Sequence, residues 1–149
     1  MKRKIKVGIL GLGRAGRFMH AAELALSPEH FEIVAGCDNA PDRRKNLPDQ
    51  FKDAAVYASL DEMLADERVE MVTVATRNLD HTPHAIRCLE AGKYVVVDKP
   101  VAVTPEQIEV LRAAAKKYPG KLFFRYNRRF EPAFCHVREI MNSGIIGHV

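Results

Sequence analysis

The sequence of 149 residues contains no tryptophan, and aromatic residues make up only 7% of it. So few aromatic side chains argue against a stacking platform for single-stranded nucleic acid. The charge is not of one sign either, because 23 Lys and Arg residues stand against 19 Asp and Glu residues. The basic residues are dispersed and form no recognition motif, so we expect no nucleic-acid partner.

Cysteine is also scarce, and long apolar runs are missing. Cys37, Cys88 and Cys135 lie far apart and form no C-x-x-C motif, which argues against a disulfide scaffold and a structural zinc site. The first apolar stretch, residues 5–10, is short and is interrupted by Lys6 and Gly8, so it is typical of neither a signal peptide nor a membrane span. We therefore expect a cytoplasmic protein with no membrane partner.

Short apolar runs alternate with segments of helical periodicity, which is typical of a parallel sheet covered by helices. Several of these runs are continuous stretches of Val, Ile, Leu and Phe, as expected of strands covered on both faces. The predicted strands are residues 5–10, 32–37, 55–57, 71–75, 94–97 and 122–126. The sequence therefore predicts an α/β fold with a doubly wound, mostly parallel sheet.

The predicted helices lie between these strands and have recognisable ends. Ser59 and Glu62 form a capping box, Thr104 and Pro105 combine an N-cap with an N1 proline, and Gly92 is a C-terminal stop. A polar, proline-broken segment at 41–53 predicts a loop or a short irregular helix, and a last helix is predicted over 132–142. The apolar side chains predicted to face the sheet are, helix by helix, Ala15, Phe18, Met19, Ala22 and Leu26; Leu60, Met63 and Leu64; Ala85, Cys88 and Leu89; and Ile108, Leu111, Ala115 and Tyr118. The last helix carries Ala133, Val137, Ile140 and Met141 on one side, and we expect this apolar face to be exposed in the isolated chain and to favour self-association.

A glycine-rich turn joins the first predicted strand to the first helix. Residues 11–16 are Gly-Leu-Gly-Arg-Ala-Gly, the G-x-G-x-x-G pattern. Gly11 permits the tight turn, Gly13 lets a pyrophosphate approach the backbone, and Gly16 allows helix and strand to pack closely. The helix N terminus then offers free N–H groups to the phosphates. Asp38 follows the second strand, 22 residues after Gly16, where a carboxylate accepts hydrogen bonds from the adenosine ribose. Together these features predict a dinucleotide-binding Rossmann domain.

The residues around Asp38 bear on the choice of cofactor. A carboxylate at this position favours NAD, because it repels the 2′-phosphate of NADP. Arg43 and Arg44 follow on the polar loop, and either could reach such a phosphate, although a solvated loop face explains both more simply. The predicted cofactor is therefore NAD, with NADP left open.

Further motifs follow the later strands. Residues 76–81 are Thr-Arg-Asn-Leu-Asp-His, residues 98–100 are Asp-Lys-Pro, and Asn127 and Arg128 follow the last strand. In this order around the glycine turn, they make the chain resemble the N-terminal domain of the Gfo/Idh/MocA oxidoreductase family over nearly its whole length. Arg77 replaces the proline of the family's usual T-P-N-x-x-H, and Asp98 replaces the glutamate of its usual E-K-P.

The resemblance implies a role for each matching residue. Lys99 matches the active-site lysine, which lies near the nicotinamide and stabilises charge on the reacting oxygen. Asp98 matches a residue that contacts the nicotinamide ribose, and Pro100 matches a proline that often follows a cis bond. His81 matches a residue near the cofactor cleft, and because it and His84 lack a third ligand, no metal site is expected. The full set expected to bind the cofactor is Gly11, Leu12, Gly13, Arg14, Ala15, Gly16, Asp38, Asn39, Arg43, Thr76, Asn78, His81, Asp98, Pro100, Asn127 and Arg128.

The resemblance also implies a domain organisation and an activity. Residues 1–126 would form the NAD(P)-binding domain, and 127–149 the crossover into a substrate domain that is otherwise absent. The implied reaction is hydride transfer between nicotinamide and a hydroxyl or carbonyl carbon of a sugar, inositol or related polyol, by an enzyme that is homo-oligomeric at full length. The isolated chain would be inactive, because the family's usual proton acceptor belongs to the second domain. A stand-alone NAD-binding regulatory or interaction module is the alternative.

Overall fold

The computed structural model describes residues 3–148 and shows a single sheet of six parallel strands. The order across the sheet is β3-β2-β1-β4-β5-β6, so the chain winds outward from β1 in both directions. This confirms the doubly wound α/β fold, and every predicted strand agrees with the observed one to within one residue at each end. The strands are β1 (Ile5–Leu10), β2 (Phe31–Cys37), β3 (Ala55–Tyr57), β4 (Met71–Val74), β5 (Tyr94–Asp98) and β6 (Leu122–Arg125).

Helices connect the strands, and short 3-10 turns lie at several strand ends. The α-helices are α1 (Ala21–Ala25), α2 (Leu60–Ala65), α3 (His81–Glu90), α4 (Pro105–Lys117) and α5 (Pro132–Ser143). A π-helical turn, Gly16–His20, leads into α1. The 3-10 turns are Pro41–Arg44, Asp49–Phe51, Asn78–Asp80 and Asn127–Phe130. The first two lie in the segment that was predicted to be irregular.

The core consists of two apolar clusters on opposite faces of the sheet. Leu10 belongs to the larger cluster, where β4 and β5 pack against α2, α3 and α4. The preceding residue, Ile9, belongs to the smaller cluster with Leu12, Ala21 and Phe51. Neighbouring residues of β1 thus face opposite ways and are both buried. This explains why the central strands are continuous apolar runs and do not alternate between apolar and polar residues.

The predicted inner face of the first helix is wrong. Phe18 is 63% exposed and Leu26 is 82% exposed, whereas Gly16, His20 and Ala21 are buried. The helix begins with a π-helical turn, in which the Ala21 N–H bonds to the Gly16 carbonyl five positions back. A π-turn holds more residues than an α-turn, so the inward-facing positions shift away from those that a 3.6-residue period predicts.

The other helices agree with the sequence more closely. Ala85, Cys88 and Leu89 are buried on α3, and Gly92 follows this helix with φ +79°. On α4, Leu111 is buried as predicted, but Ile108 is 45% exposed and Ala115 is exposed, and Ala114 is buried in their place. Only a narrow line of α4 therefore faces the core.

Part of the sheet and the last helix lie outside these clusters. A groove of about 820 Å³, lined by Ile5, Met71, Tyr94 and Phe123 among others, runs along the face of β1, β4, β5 and β6 beside α1. α5 has no buried residue, and its Val137 and Met141 are 54% and 42% exposed. Right-handed crossovers place the helices that follow β4 and β5 on the opposite face, which leaves the groove open.

The start of α2 provides a test of local stability. Ser59 Oγ accepts a hydrogen bond from Glu62 N at 3.3 Å, and a Glu62 carboxylate oxygen lies 3.4 Å from Ser59 N. This confirms the capping box. Ser59→Ala removes the acceptor for Glu62 N and should lower the free energy of unfolding by about 1 kcal/mol, measured by urea denaturation. Glu62→Gln keeps an acceptor for Ser59 N and should cost less. Equal losses in the two variants would contradict this account of the cap.

Candidate functional site

The loops that follow β1, β2, β3 and β4 meet at the carboxyl edge of the sheet and enclose a cavity of about 480 Å³. In a doubly wound sheet this edge, at the point where the strand order reverses, is where ligands bind. Five of the residues expected to bind the cofactor line the cavity: Gly11, Asp38, Asn39, Arg43 and Thr76. The larger groove on the sheet face is lined by none of them.

The three glycines of the turn differ in what the fold requires of them. Gly11 has φ +94°, and a Cβ there would lie 2.6 Å from the carbonyl oxygen of Ala75. A Cβ on Gly16 would overlap the carbonyl oxygen of Gly11. At Gly13, however, the nearest atom to an added Cβ is Arg43 Nη1, at an ordinary contact distance of 3.6 Å. The fold therefore requires glycine at two of the positions but not at Gly13, where the missing side chain leaves space above the backbone.

Asp38 is buried and joins two loops of the site. Its Oδ2 accepts a hydrogen bond from Leu12 N at 2.8 Å, and its Oδ1 accepts one from Ala40 N at 2.9 Å. Only 5% of the residue is exposed. Asp38 therefore lies where the sequence predicted it, and it holds the glycine turn against the loop after β2.

Three arginines shape the loop after β2. Arg17 donates from Nη2 to the carbonyls of Asp42, Arg43 and Lys45, and so fixes the loop backbone to the first helix. Arg44 donates from Nη1 to the Asp38 carbonyl at 2.7 Å and to the Asn39 carbonyl at 3.2 Å. Arg43 Nη1 lies 3.6 Å from Asp38 Oδ2, and its side chain is 57% exposed. Arg43 is thus the arginine of this loop that faces the cavity.

The end of β4 forms the opposite wall of the cavity. Thr76 Oγ1 lies 3.1 Å from His84 Nδ1, within hydrogen-bonding distance. Burial lowers the pKa of His84, which keeps its ring neutral at pH 7. Arg77, the family's proline position, lines the cavity and donates from Nε to Asp80 at 2.9 Å. The resemblance assigns no role to Arg77, which is an exposed, ion-paired residue at the rim of the cavity.

His81 is turned into the protein. It is 2% exposed, with Nδ1 2.7 Å from the Pro100 carbonyl oxygen and Nε2 3.1 Å from the Thr76 carbonyl oxygen. Its neighbour Thr82 donates to the Val101 carbonyl at 3.1 Å. In this arrangement His81 holds the loop after β5 against the start of α3, and its ring does not reach the cavity lining.

The predicted active-site lysine lies at the end of β5. Lys99 is exposed, and the bond between Lys99 and Pro100 is cis. The main-chain N–H of Lys99 donates to Asp98 Oδ1 at 2.8 Å. This hydrogen bond fixes the direction of the main chain at Lys99, just after β5. The 480 Å³ cavity does not extend to Lys99. The other expected cofactor residues outside its lining are Leu12, Gly13, Arg14, Ala15, Gly16, Asn78, His81, Asp98, Pro100, Asn127 and Arg128.

The structure adds cavity residues that the motifs did not identify. They come from the loop after β2, the start of α2 and the first turns of α3: Ala40, Ala58, Ser59, Leu60, Asp80, His84 and Arg87. The position of Ser59, directly after β3 at the carboxyl edge, is a sequence signal for the cavity as well as for a helix cap. For His84 the sequence offers only its spacing from His81, which is a weak metal-ligand pattern.

Asp98 belongs to a buried ionic network. Its Oδ1 also lies 3.2 Å from Arg125 Nη1, and its Oδ2 lies 3.3 Å from His20 Nε2. Arg125 in turn donates from Nε to Glu23 at 2.8 Å. Asp98 is 6% exposed, and its carboxylate ties β5 to β6 and to the first helix.

Within residues 3–148, no three His, Cys, Asp or Glu side chains are grouped so that they could hold a metal ion. No helix there has both the length and the apolar character needed to cross a membrane.

Cys37, Cys88 and Cys135 are free thiols, and burial raises the pKa of Cys37 and that of Cys88 to about 12.

The fold and this edge define a dinucleotide-binding Rossmann domain. The sequence profile of an oxidoreductase family with an NAD-binding Rossmann fold, Gfo/Idh/MocA, matches residues 5–126. The chain belongs to this family and is its NAD-binding domain.

Individual proteins show the same relationship. The scyllo-inositol 2-dehydrogenase (NADP(+)) IolW of Bacillus subtilis is 33% identical over 142 residues, which cover 94% of this chain and 38% of that protein. The inositol 2-dehydrogenase of Acidothermus cellulolyticus is 31% identical, with 98% and 43% covered. The crystal structure of scyllo-inositol dehydrogenase from Lactobacillus casei, with bound NAD(H) and scyllo-inositol, superposes with a TM-score of 0.86 at 26% identity, covering 97% of this chain and 43% of that one. The chain thus spans about two fifths of the length of these relatives.

The network around Asp98 predicts a pH dependence of stability. Burial by itself raises the pKa of Asp98, but the His20 and Lys99 N–H contacts and the charge of Arg125 outweigh it and lower the pKa from 3.8 to about 2. A carboxyl whose pKa is lowered by folding stabilises the fold above its unfolded pKa and loses that effect as the pH falls through the folded value. Asp98→Asn should therefore cost about 2 kcal/mol of unfolding free energy at pH 7.

Urea denaturation between pH 7 and about pH 2 measures this difference. The gap between Asp98→Asn and the wild type should shrink as the pH falls from about 4 to about 2. Asp42→Asn is the control, because the Asp42 side chain is 96% exposed. If the difference in unfolding free energy between Asp98→Asn and the wild type stays constant down to about pH 2, Asp98 stabilises the fold through packing and not through its charge.

Proposed function

We propose that this chain is the nucleotide-binding part of a dehydrogenase that moves hydride between nicotinamide and a hydroxyl or carbonyl carbon of a sugar, inositol or related polyol. The observation that carries the proposal is Gly13. The fold leaves room for a Cβ at this position, so its glycine is explained by a ligand that approaches the backbone there. A dinucleotide pyrophosphate on the first N–H groups of a helix has that geometry.

The substrate class is supported by the relatives. The B. subtilis and A. cellulolyticus proteins are named as inositol dehydrogenases, and the L. casei structure contains scyllo-inositol. These substrates are cyclic polyols whose secondary hydroxyl is oxidised to a ketone. We propose the same class of substrate for the enzyme to which this domain belongs.

Lys99 is proposed as the residue that acts on the reacting oxygen. It is exposed at the carboxyl end of β5, and its backbone is fixed by Asp98. An ammonium group there donates a hydrogen bond to the substrate hydroxyl and stabilises the negative charge that develops as the proton leaves. Nicotinamide, when bound, supplies the hydride acceptor. The proton acceptor is proposed to come from outside residues 1–126.

Residues 127–149 are proposed to lead into the substrate domain of the enzyme. Support comes from α5, which has no buried residue and carries exposed apolar side chains. Such a surface is typical of an interface. We therefore propose that the chain by itself self-associates and that the full-length enzyme is a homo-oligomer. A cytoplasmic location is proposed because the three cysteines are free, as reduced thiols are in that compartment.

Gly13→Val tests the dinucleotide site. The variant should fold, because the fold leaves space at this position, but the valine side chain occupies the place of the pyrophosphate. Calorimetric titration should show NADH binding to the wild type and none to the variant, while the two melting temperatures stay within a few degrees. Ala113→Val on the exposed side of α4 is the control and should bind as the wild type does. NADH affinity that survives in a folded Gly13→Val protein would place the ligand elsewhere.

The activity of the isolated chain is a separate test. Mixed with NAD and myo-inositol or scyllo-inositol, it should produce no NADH above the background rate. Lys99 is solvent-exposed, so the substrate is neither positioned nor shielded from water, and both losses are costly to hydride transfer. NADH absorbance follows the reaction, and an equal concentration of Lys99→Ala is the control. Sustained NADH formation that depends on Lys99 would show that the chain alone forms the complete catalytic site.

A further inference from the structure

We infer that Arg43 recognises a 2′-phosphate on the adenosine ribose, and that this domain binds NADP(H) at least as tightly as NAD(H). The inference rests on the proposed dinucleotide site and adds a choice between the two cofactors. From the sequence alone, the carboxylate of Asp38 favours NAD, and a solvated loop face explains Arg43 most simply. The contacts that Asp38 and Arg43 make in the structure favour NADP over this expectation.

Arg43 lies between the glycine turn and the carboxylate of Asp38. Its Nη1 is 3.6 Å from Asp38 Oδ2 and 3.6 Å from the position of a Cβ on Gly13. The backbone beneath it is fixed, because Arg43 N donates to the Ala40 carbonyl at 3.1 Å and the Arg43 carbonyl accepts from Arg17. The main chain that carries the guanidinium is therefore fixed beside the site, and the side chain is 57% exposed, which leaves it accessible to a ligand.

The charge of Asp38 is largely compensated within the protein. Both carboxylate oxygens accept main-chain N–H bonds, from Leu12 and Ala40, and the side chain is 4% exposed. The guanidinium of Arg43 lies 3.6 Å from this carboxylate and is far more exposed than it is, at 57% against 4%. A phosphate on the 2′ oxygen would meet the cation first, and the repulsion expected of a solvent-facing carboxylate is reduced.

The other arginines of the site have closer partners. Arg44 is bonded to two main-chain carbonyls, Arg77 donates to Asp80 at 2.9 Å, and Arg87 pairs with Asp61. Three arginines and two aspartates line the cavity, because Asp61, the partner of Arg87, lies outside the lining. Arg43 makes the longest of these ion-pair contacts and can form the bidentate bond that a guanidinium makes with a phosphate.

Calorimetric titrations of NADPH and NADH into the 149-residue chain test the inference. The wild type should bind NADPH at least as tightly as NADH. Arg43→Met should weaken NADPH binding about 10- to 100-fold, as expected for loss of a charged hydrogen-bonding partner, and should change NADH binding less than about threefold. Adenosine 2′,5′-bisphosphate and 5′-AMP serve as second probes, because they isolate the adenosine half and should show the same contrast.

Two further variants keep the test specific. Arg77→Met removes the same charge from the same cavity and should change both affinities by a similar factor. Arg43→Lys keeps the charge, but its ammonium group cannot form the two parallel hydrogen bonds that a guanidinium makes with a phosphate. Its NADPH affinity should therefore lie between those of the wild type and Arg43→Met. Thermal unfolding confirms that each variant is folded.

The outcomes separate the two proposals. If the wild type binds neither cofactor, the proposed dinucleotide site fails, and this inference fails with it. If it binds NADH more tightly than NADPH, the site stands and the inference is overturned. Recognition of the 2′-phosphate by Arg43 is also overturned if Arg43→Met lowers the NADPH and NADH affinities equally or leaves both unchanged. The same holds if Arg77→Met changes the ratio of NADPH to NADH affinity more than Arg43→Met does.

Discussion

The close approach of the first helix to the ends of β1 and β4 is the constraint on which the site depends. Gly11 lies against the carbonyl of Ala75, and Gly16 passes over the carbonyl of Gly11, so that neither position has space for a side chain. This contact brings Leu12 N within reach of Asp38 and so draws in the loop after β2. The cavity at the carboxyl edge is bounded by these contacts, and a larger residue at either glycine would push its walls apart.

Much of the fold could be predicted because its signals are local. Buried parallel strands are short apolar runs, and Ser59, Thr104 and Gly92 mark helix ends within a few residues. The glycine turn and Asp38 could be placed for a similar reason, since each directly follows a strand and parallel strands bring their ends to one edge. The first helix was the exception. Its π-turn begins at Gly16, where the chain passes close to the Gly11 carbonyl, and no periodicity in the sequence indicates it.

The inward-facing site residues could not be predicted, because their partners are distant in the chain. Asp98 reaches Arg125 and His20, and Arg125 reaches Glu23 across 102 residues. His81 is held by the Pro100 carbonyl. A motif shows that a residue follows a strand, but these long-range partners determine whether its side chain faces the cleft or the core. The same limit applies to Arg43, whose place above Gly13 depends on the loop that Arg17 fixes.

The strand order also bears on when the site can form during synthesis. One neighbour of β1 is β2, which follows it closely in the chain, but the other neighbour is β4, and Val7 pairs with Met71. Joining them closes a long stretch of chain, which is a slow and entropically costly step. Until β4 arrives, Gly11 has no Ala75 carbonyl beside it, and the cavity lacks the wall that Thr76 provides. A nascent chain that ends before β4 therefore has the complete glycine motif but no pocket, and the pocket can close while β6 is still unmade.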